Sequence, residues 1–402
     1  MNRKGDDMEM QKTVKLYDAD AYATEFEAVV LSCEEVNAEK QGEEIQQLYA
    51  VTLDQTLFFP EEGGQTPDKG YLGDAEVVDV QIKGNVIIHY VTKPLVHGER
   101  VDGKINWQHR FFNMQQHSAE HIFSGLAYKK YGYKNVGFHL SEQIVTMDFD
   151  GTFTVDQLKE MEWEVNQAIV ANVEIKTGYP TREVLEGLEY RSKLDLVEDI
   201  RIVEVEGYDI CACCAPHVHR TGEIGMFKIQ SVQNYKGGVR ISFLAGFRAL
   251  EEYRRKSEII SEISNILTTN QDNLADHVTK LKNQVYNLKS QLSNTKQILM
   301  DAKIAELPAE QQDVVLFEQD LEVADMRNVV NKLMETRDGI CGIFVGNDAE
   351  GYNFIIGSKT VNCCDIATTL REKLNARGGG KPKMIQGSVV ASADTIKNIL
   401  TI

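Results

Sequence analysis

The chain has 402 residues, a formal net charge of −18, 42% hydrophobic residues and seven cysteines. That length is too great for one ordinary core and predicts two to four domains; the lack of an eighteen-residue apolar run or a charged-then-apolar leader predicts neither a membrane span nor a secretory signal, and so a cytoplasmic protein. The acidic balance argues against broad, salt-driven adhesion to nucleic acid, though it allows a local basic face, and an odd cysteine count without a regular framework fits a reducing compartment where thiolates bind metal.

In chain order, residues 1–11 are polar and unpatterned, and predicted to be disordered. Residues 12–109 alternate short β-branched and aromatic runs with Gly, Asp and Pro turns, the pattern of a small antiparallel sheet or barrel-like subdomain. Embedded there is D-Q-T-L-F-F-P-E-E-G-G-Q-T-P-D-K-G, in which Gly63 and Gly64 would let the backbone turn tightly and bring Gln65 to a ligand. A plain hairpin loop accounts for the same pattern. Residues 110–247 read as an α+β layer, with a helix from Arg110 to about Tyr128 and another from Val155 to about Val170. The second carries Thr154 and Gln157 as a capping box and Leu158, Met161, Val165 and Ile169 as its apolar stripe.

From 248 to 305 the pattern is helical. Leu274, Val278, Leu281, Val285, Leu288, Leu292 and Leu299 form a coiled-coil seam, Leu250, Tyr253, Ile260, Ile263 and Leu267 an upstream stripe, and T-T-N-Q-D-N a turn between them. An intrachain antiparallel hairpin competes with a parallel homodimer, and the hairpin is favoured. Residues 306–402 alternate strands and helices as a small α/β domain, ending in R-G-G-G-K-P-K-M-I-Q-G-S, read as a glycine-rich loop able to approach phosphates through backbone N–H groups. Arg371, Lys373, Arg377, Lys381 and Lys383 stand there against the single acid Glu372. A solvated helix end is the competing reading.

Two residue pairs carry chemistry. His117 and His121, in Q-H-S-A-E-H-I-F-S-G, have the i, i+4 spacing that stacks two imidazoles on one helical face. Cys213 and His217, in C-C-A-P-H-V-H-R-T-G-E-I-G, add a thiolate and a third imidazole, with Pro216 placing them in a turn. Such nitrogen and sulfur donors suit one tetrahedral Zn²⁺ rather than calcium or magnesium. Packed core residues are the bland alternative, and they account poorly for four such side chains. His89, His97, His109, His219 and His277 read as structural or exposed, whereas His139 in V-G-F-H-L-S remains a candidate. With Glu120, H-x-x-E-H is also the inverzincin metallopeptidase pattern.

With these residues in hand, the chain resembles the freestanding alanyl-tRNA editing hydrolases, the AlaX-type relatives of the alanyl-tRNA synthetase editing domain, in their long form. K-L-Y-D-A-D-A-Y-A-T-E-F-E-A looks like the family's opening, F-F-P-E-E-G-G-Q-T-P-D-K-G like its glycine-rich motif, and H-S-A-E-H with C-C-A-P-H-V-H-R-T-G-E-I-G like its zinc motifs. G-G-G-K-P-K-M-I-Q-G-S is similar to the signature of the DHH-associated domain that ends those synthetases; no D-H-H motif of a phosphoesterase occurs. The resemblance implies an ATP-independent zinc enzyme acting on tRNA for alanine wrongly charged with serine or glycine, hydrolysing the aminoacyl ester. An alanine-sized synthetic pocket discriminates against such neighbours only by about 10 to 200-fold, so a second, hydrolytic sieve is needed.

On this reading His117, His121, Cys213 and His217 hold one Zn²⁺, and Gln65, Glu120 and His139 are catalytic candidates. Thr56, Gly63, Gly64 and Gln65 contact substrate; Arg371, Lys373, Arg377, Gly378, Gly379, Gly380, Lys381 and Lys383 contact tRNA. Self-association would run through the helical region or the C-terminal domain. The chain departs from the family in having C-C-A-P-H for C-G-G-T-H and Glu120 where Thr is frequent, changes that bear on pocket shape. A non-catalytic tRNA-binding module whose zinc only stabilises the fold is the main rival.

Overall fold

The computed structural model describes residues 12–41, 44–142, 144–192 and 200–400, and their side chains except those of 37–46. The expectation for residues 1–11 lies outside them. The chain is a mixed α+β protein that divides into two compact units, Met1–Ile259 and Ile260–Ile402.

In the first unit, strands β1 (Glu25–Gln41), β2 (Glu44–Leu53), β3 (Gly70–Leu72), β4 (Ala75–Lys83), β5 (Val86–Val91) and β6 (Arg100–Ile105) close into a barrel in the order β1-β2-β5-β4-β3-β6. Inward positions alternate along the strands, as the two-residue pleat demands, except on β4, where an irregularity between Val77 and Asp79 shifts the phase by one residue. Val51 and Leu53, Val77 and Val80, and Ile87 and Val91 fill the interior. His89 shares that core, fully buried, with Thr56 Oγ1 2.9 Å from its Nε2 and its Nδ1 3.2 Å from the Val51 carbonyl oxygen.

Burial disfavours the charged imidazole and holds His89 at about 4, against an ordinary 6.5. Between those values the unfolded chain takes up a proton that the folded barrel refuses. Stability therefore falls as pH drops from 6.5 to about 4, by about 3 kcal/mol in all, and this loss is absent above 6.5. Urea midpoints at pH 7 and pH 4.5 should show the difference, and His89→Gln should remove most of it.

After the barrel comes helix α1 (Trp107–Tyr131), then β7 (Asn135–Leu140), β8 (Val145–Phe149), α2 (Val155–Ala171), β9 (Ile175–Gly178), β10 (Ile202–Val205), β11 (Asp209–Ala212), β12 (Phe227–Tyr235) and β13 (Gly238–Ala245). The strands form a four-stranded sheet, β12-β13-β8-β7, and a three-stranded one, β9-β10-β11. Asn106 caps α1 by accepting from the His109 N–H, and Gly132 ends it at φ +70°, where a side chain would be strained. The Thr154–Gln157 capping box opens α2, with Met161, Val165 and Ile169 buried beneath it.

Most of α1 is buried, which lets it carry a site. Gln116 clamps it to β13, its amide donating to the Ala245 carbonyl and accepting the Ala245 N–H, each at 2.7 Å. Arg110 ties it to the barrel side through a fully buried pair with Asp68 and bonds to the Leu57 and Ala21 carbonyls.

Helix α3 (Gly246–Ile266) runs across the boundary between the units, and α4 (Leu274–Glu306) belongs to the second. The expected turn between them is present, with Thr268 at φ +50° and the Asn270 side chain accepting from the Asn273 N–H. Along α4, Val278, Leu281, Val285 and Leu292 keep 46–54% of their surface exposed, less burial than a closed two-helix seam gives. Its C-terminal end is well packed, through Met300 and Ile304.

The second unit continues with β14 (Val314–Glu318), α5 (Val323–Thr336), β15 (Cys341–Asn347), β16 (Gly351–Gly357), α6 (Cys363–Leu374), β17 (Arg377–Lys381), β18 (Met384–Val389) and α7 (Ala393–Leu400), its sheet ordered β14-β15-β16-β18-β17. The glycine-rich stretch is therefore an edge strand rather than a loop. Gly378, at φ +143°, and Gly380 approach β18 so closely that added Cβ atoms would lie 2.3 Å from the Gln386 and Met384 carbonyl oxygens. No described helix is long and apolar enough to cross a membrane.

Candidate metal centre

His117, His121, Cys213 and His217 converge, with one potential ligand atom from each lying within 4.8 Å of every other. The two helical histidines lie one turn apart on α1. Cys213 follows β11, its N–H bonded to the Arg201 carbonyl and its own carbonyl accepting from Arg201 Nη1, so the residue is fixed from both sides. Cys213 Sγ lies 3.6 Å from His117 Nε2 and 3.5 Å from His217 Nε2. Zn–N near 2.05 Å and Zn–S near 2.3 Å at a tetrahedral angle would separate nitrogen and sulfur by about 3.6 Å. The donor set thus fits one tetrahedral ion.

Each imidazole is held by its other nitrogen. His117 Nδ1 donates to Gln65 Oε1 at 2.9 Å, His121 Nδ1 donates to Asp209 Oδ2 at 3.0 Å, and His217 Nδ1 lies 2.9 Å from Ser118 Oγ. Such partners set the tautomer, leaving an Nε2 lone pair for an ion. Asp209 is itself gripped by Arg191, with two bonds of 2.7 Å. Burial works against the Asp209 carboxylate, but Arg191 and His121 outweigh it and hold the group at about 2.

Burial likewise opposes charge on His121, yet the hydrogen bonds to Asp209 and Cys213 push it up to about 10. The Cys213 thiol would be raised by burial, but the charge of His117 and hydrogen bonds from His117, His121 and His217 hold it well below the usual thiol range. Burial leaves His217 neutral, at about 3. The thiolate is the form a metal requires, whereas His121 carries a proton at neutral pH that an ion would have to displace on binding.

A cavity of about 280 Å³ opens on this cluster, lined among others by Glu62, Gly63, Glu120, Tyr179, Arg191 and Cys214. Gly64 sits at φ +85° with an added Cβ only 2.1 Å from the Phe138 carbonyl oxygen, and its own carbonyl accepts the Leu140 N–H, which fastens the loop to β7. Glu120 is buried in the cavity wall, its Oε1 accepting from Ser124 Oγ at 2.6 Å and from Asn135 Nδ2.

Two candidates lie elsewhere. Thr56 is wholly buried in the barrel against His89, so it cannot meet a substrate in this cavity. His139 is exposed on β7 beside Thr146 and joins neither cluster nor cavity. Gln65 is not in the cavity lining; it bears on His117, a positioning role. The distant carboxylate ligand of an inverzincin site is replaced by Cys213 and His217.

Asp209, Arg191 and Ser118 escaped the sequence reading. The available signal was strand alternation, since D-I-C-A-C puts Asp209, Cys211 and Cys213 on one face. Helix α1 meets this strand at Gly125, where a Cβ would lie 2.4 Å from the Tyr208 carbonyl oxygen and 2.7 Å from Asp209 Cβ. Gly125→Ala should therefore push β11 off the helix and weaken metal binding about tenfold or more through Asp209. Competition with a chromophoric chelator would measure it.

Two family descriptions match the chain: class II (A) tRNA synthetases over residues 2–109, and the threonyl and alanyl tRNA synthetase second additional domain over residues 200–242, which contain Cys213 and His217. The alanine–tRNA ligase of Methanoregula boonei is 32% identical over 93% of this chain, which spans 41% of that ligase's length. The alanyl-tRNA editing protein Aarsd1 of Danio rerio is 29% identical over 92% of each chain. Among solved structures, the C-Ala domain of Aquifex aeolicus alanyl-tRNA synthetase matches 22% of this chain and 87% of its own at 23% identity, with a TM-score of 0.18 too low to bear on the fold. Over nearly its whole length, the chain is similar to alanyl-tRNA editing proteins and to the part of alanine–tRNA ligase that it spans.

Proposed function

We propose that this protein is a zinc-dependent aminoacyl-tRNA deacylase that hydrolyses the ester of tRNA for alanine mischarged with serine or glycine. The observation that carries the reading is the convergence of His117, His121, Cys213 and His217 beside a cavity, with each imidazole fixed by a partner on its Nδ1. Zinc, when bound, supplies Lewis acidity toward a carbonyl and lowers the pKa of water. The chain's residues do the rest. Gln65, Asp209 and Ser118 orient the imidazoles, and Glu120 at the cavity wall accepts a proton from the attacking water. Gly63, with Glu62 and Cys214, shapes the space for the aminoacyl group.

The C-terminal unit, similar to a DHH-associated domain, would hold the tRNA body through Arg371, Lys373, Arg377, Lys381 and Lys383. Four protein ligands also favour a second reading, a closed structural site in a non-catalytic tRNA-binding module. Deacylation of Ser-, Gly- and Ala-tRNA with and without a chelator decides between them. The enzyme reading expects Ser- or Gly-tRNA to be cleared, Ala-tRNA to be spared, and chelation to abolish turnover while most of the fold survives. No hydrolysis of any of the three, with unfolding on chelation, would establish the structural site instead.

A further inference from the structure

A second cavity, of about 950 Å³, adjoins the one at the metal cluster and shares Lys15 and Tyr179 with it. Its wall brings Lys12, Lys15 and Arg182 together with Tyr179, Pro180 and Leu185. In a chain carrying 61 acidic against 43 basic residues, that concentration of cations stands out. Lys12 and Lys15 have no ion-pair partner among the described residues. Arg182 pairs with Glu186 at 3.2 Å, but both side chains are largely in solvent, where such a pair is worth little. The carboxylate in the wall, Asp18, is already engaged by Arg201 Nε at 3.5 Å and by the Tyr179 hydroxyl, which donates to it at 2.8 Å. Its charge is thus answered from within the protein, and the three cations face the groove.

Tyr179 keeps about half its surface, 51%, exposed at the junction of the two cavities. Cations that track a backbone, beside an aromatic ring open to stacking, are the elements that bind single-stranded nucleic acid without reading its sequence. We infer that this groove takes the unpaired 3′ strand of an RNA, with phosphates against Lys12, Lys15 and Arg182 and a base stacked on Tyr179, so that the strand's end enters the cavity at the metal cluster. The inference rests on the deacylase reading for the identity of the RNA but not for the groove's chemistry. It also moves part of RNA recognition from the C-terminal unit, where the basic stretch suggested it, to the unit that holds the reacting ester.

The test uses the full chain and a single-stranded RNA tetranucleotide containing 4-thiouridine, with no amino acid attached. Photo-crosslinks mapped by mass spectrometry are expected at Tyr179 or its immediate neighbours. In Lys12→Gln/Arg182→Gln the yield should fall about tenfold, and the dependence of log affinity on log salt should become shallower by about 1.4, or about 0.7 for each single-strand phosphate that is no longer neutralised. Crosslinks confined to residues beyond 260, an unchanged yield in the double variant, or equal displacement by an acidic peptide would each overturn the proposal. Because no ester is involved, the result is independent of catalysis. Crosslinking at Tyr179 in a protein that leaves both Ser-tRNA and Gly-tRNA intact would uphold the groove and refute the deacylase.

Discussion

Cys213→Ala is expected to strip the protein of zinc and to lower hydrolysis of Ser-tRNA by about 100-fold or more, the scale on which removing an element of transition-state charge stabilisation is felt. Cys213 is the only anionic donor of the four converging residues, and its thiol is held well below its usual range by the surrounding histidines. Without it three imidazoles remain, a weaker set for a divalent ion that must displace protons to bind. His217→Ala should behave differently. If the fourth position must open to solvent, this variant keeps zinc, more weakly bound, and retains measurable hydrolysis; if the site is closed and structural, both variants lose metal and unfold at lower urea. Zinc content by atomic absorption, read beside deacylation, separates the two, and full zinc with full activity in both variants would dismiss the assignment altogether.

Asp209→Asn should have the largest effect on stability. The carboxylate binds both Arg191 and His121 and is almost fully enclosed. Losing one member of a buried ion pair strands the other's charge, which costs about 3–5 kcal/mol. Zinc affinity should fall about 10 to 100-fold as well, because His121 loses the partner that fixes its tautomer. Urea midpoints and chelator competition on one preparation test both effects. A stability loss below about 1 kcal/mol with unchanged affinity would show that Asp209 neither supports Arg191 nor orients His121.

Features encoded locally were legible in the sequence. The capping box at Thr154 and Gln157, the i, i+4 histidines and the turn after Leu267 depend on neighbours a few residues apart, and the structure has all three. Features that depend on distant strands meeting were harder to read. Closure of the barrel requires β1 to pair with β6 across some sixty residues of intervening chain, and no local pattern states that. Thr56 shows how narrow the margin is. It lies in a two-residue strand, Gln55–Thr56, where a shift of one position exchanges outside for inside, and it faces the barrel core rather than the cavity. The glycine-rich tail misled for another reason: a run without side chains looks like a loop, yet the missing Cβ atoms are what allow β17 to lie against β18.

The anchors of the three imidazoles come from separate parts of the N-terminal unit: Gln65 from a barrel loop, Asp209 from the three-stranded sheet, and Ser118 from the buried helix. No fragment of this unit can therefore present a finished coordination sphere. During synthesis the helix emerges almost a hundred residues before Cys213 and His217, so a nascent chain carries two histidines and nothing to complete them. On the proposed zinc reading, loading the ion would be a checkpoint on maturation, passed only when every layer has docked, and bound zinc would report the yield of correctly assembled protein better than the amount of chain produced.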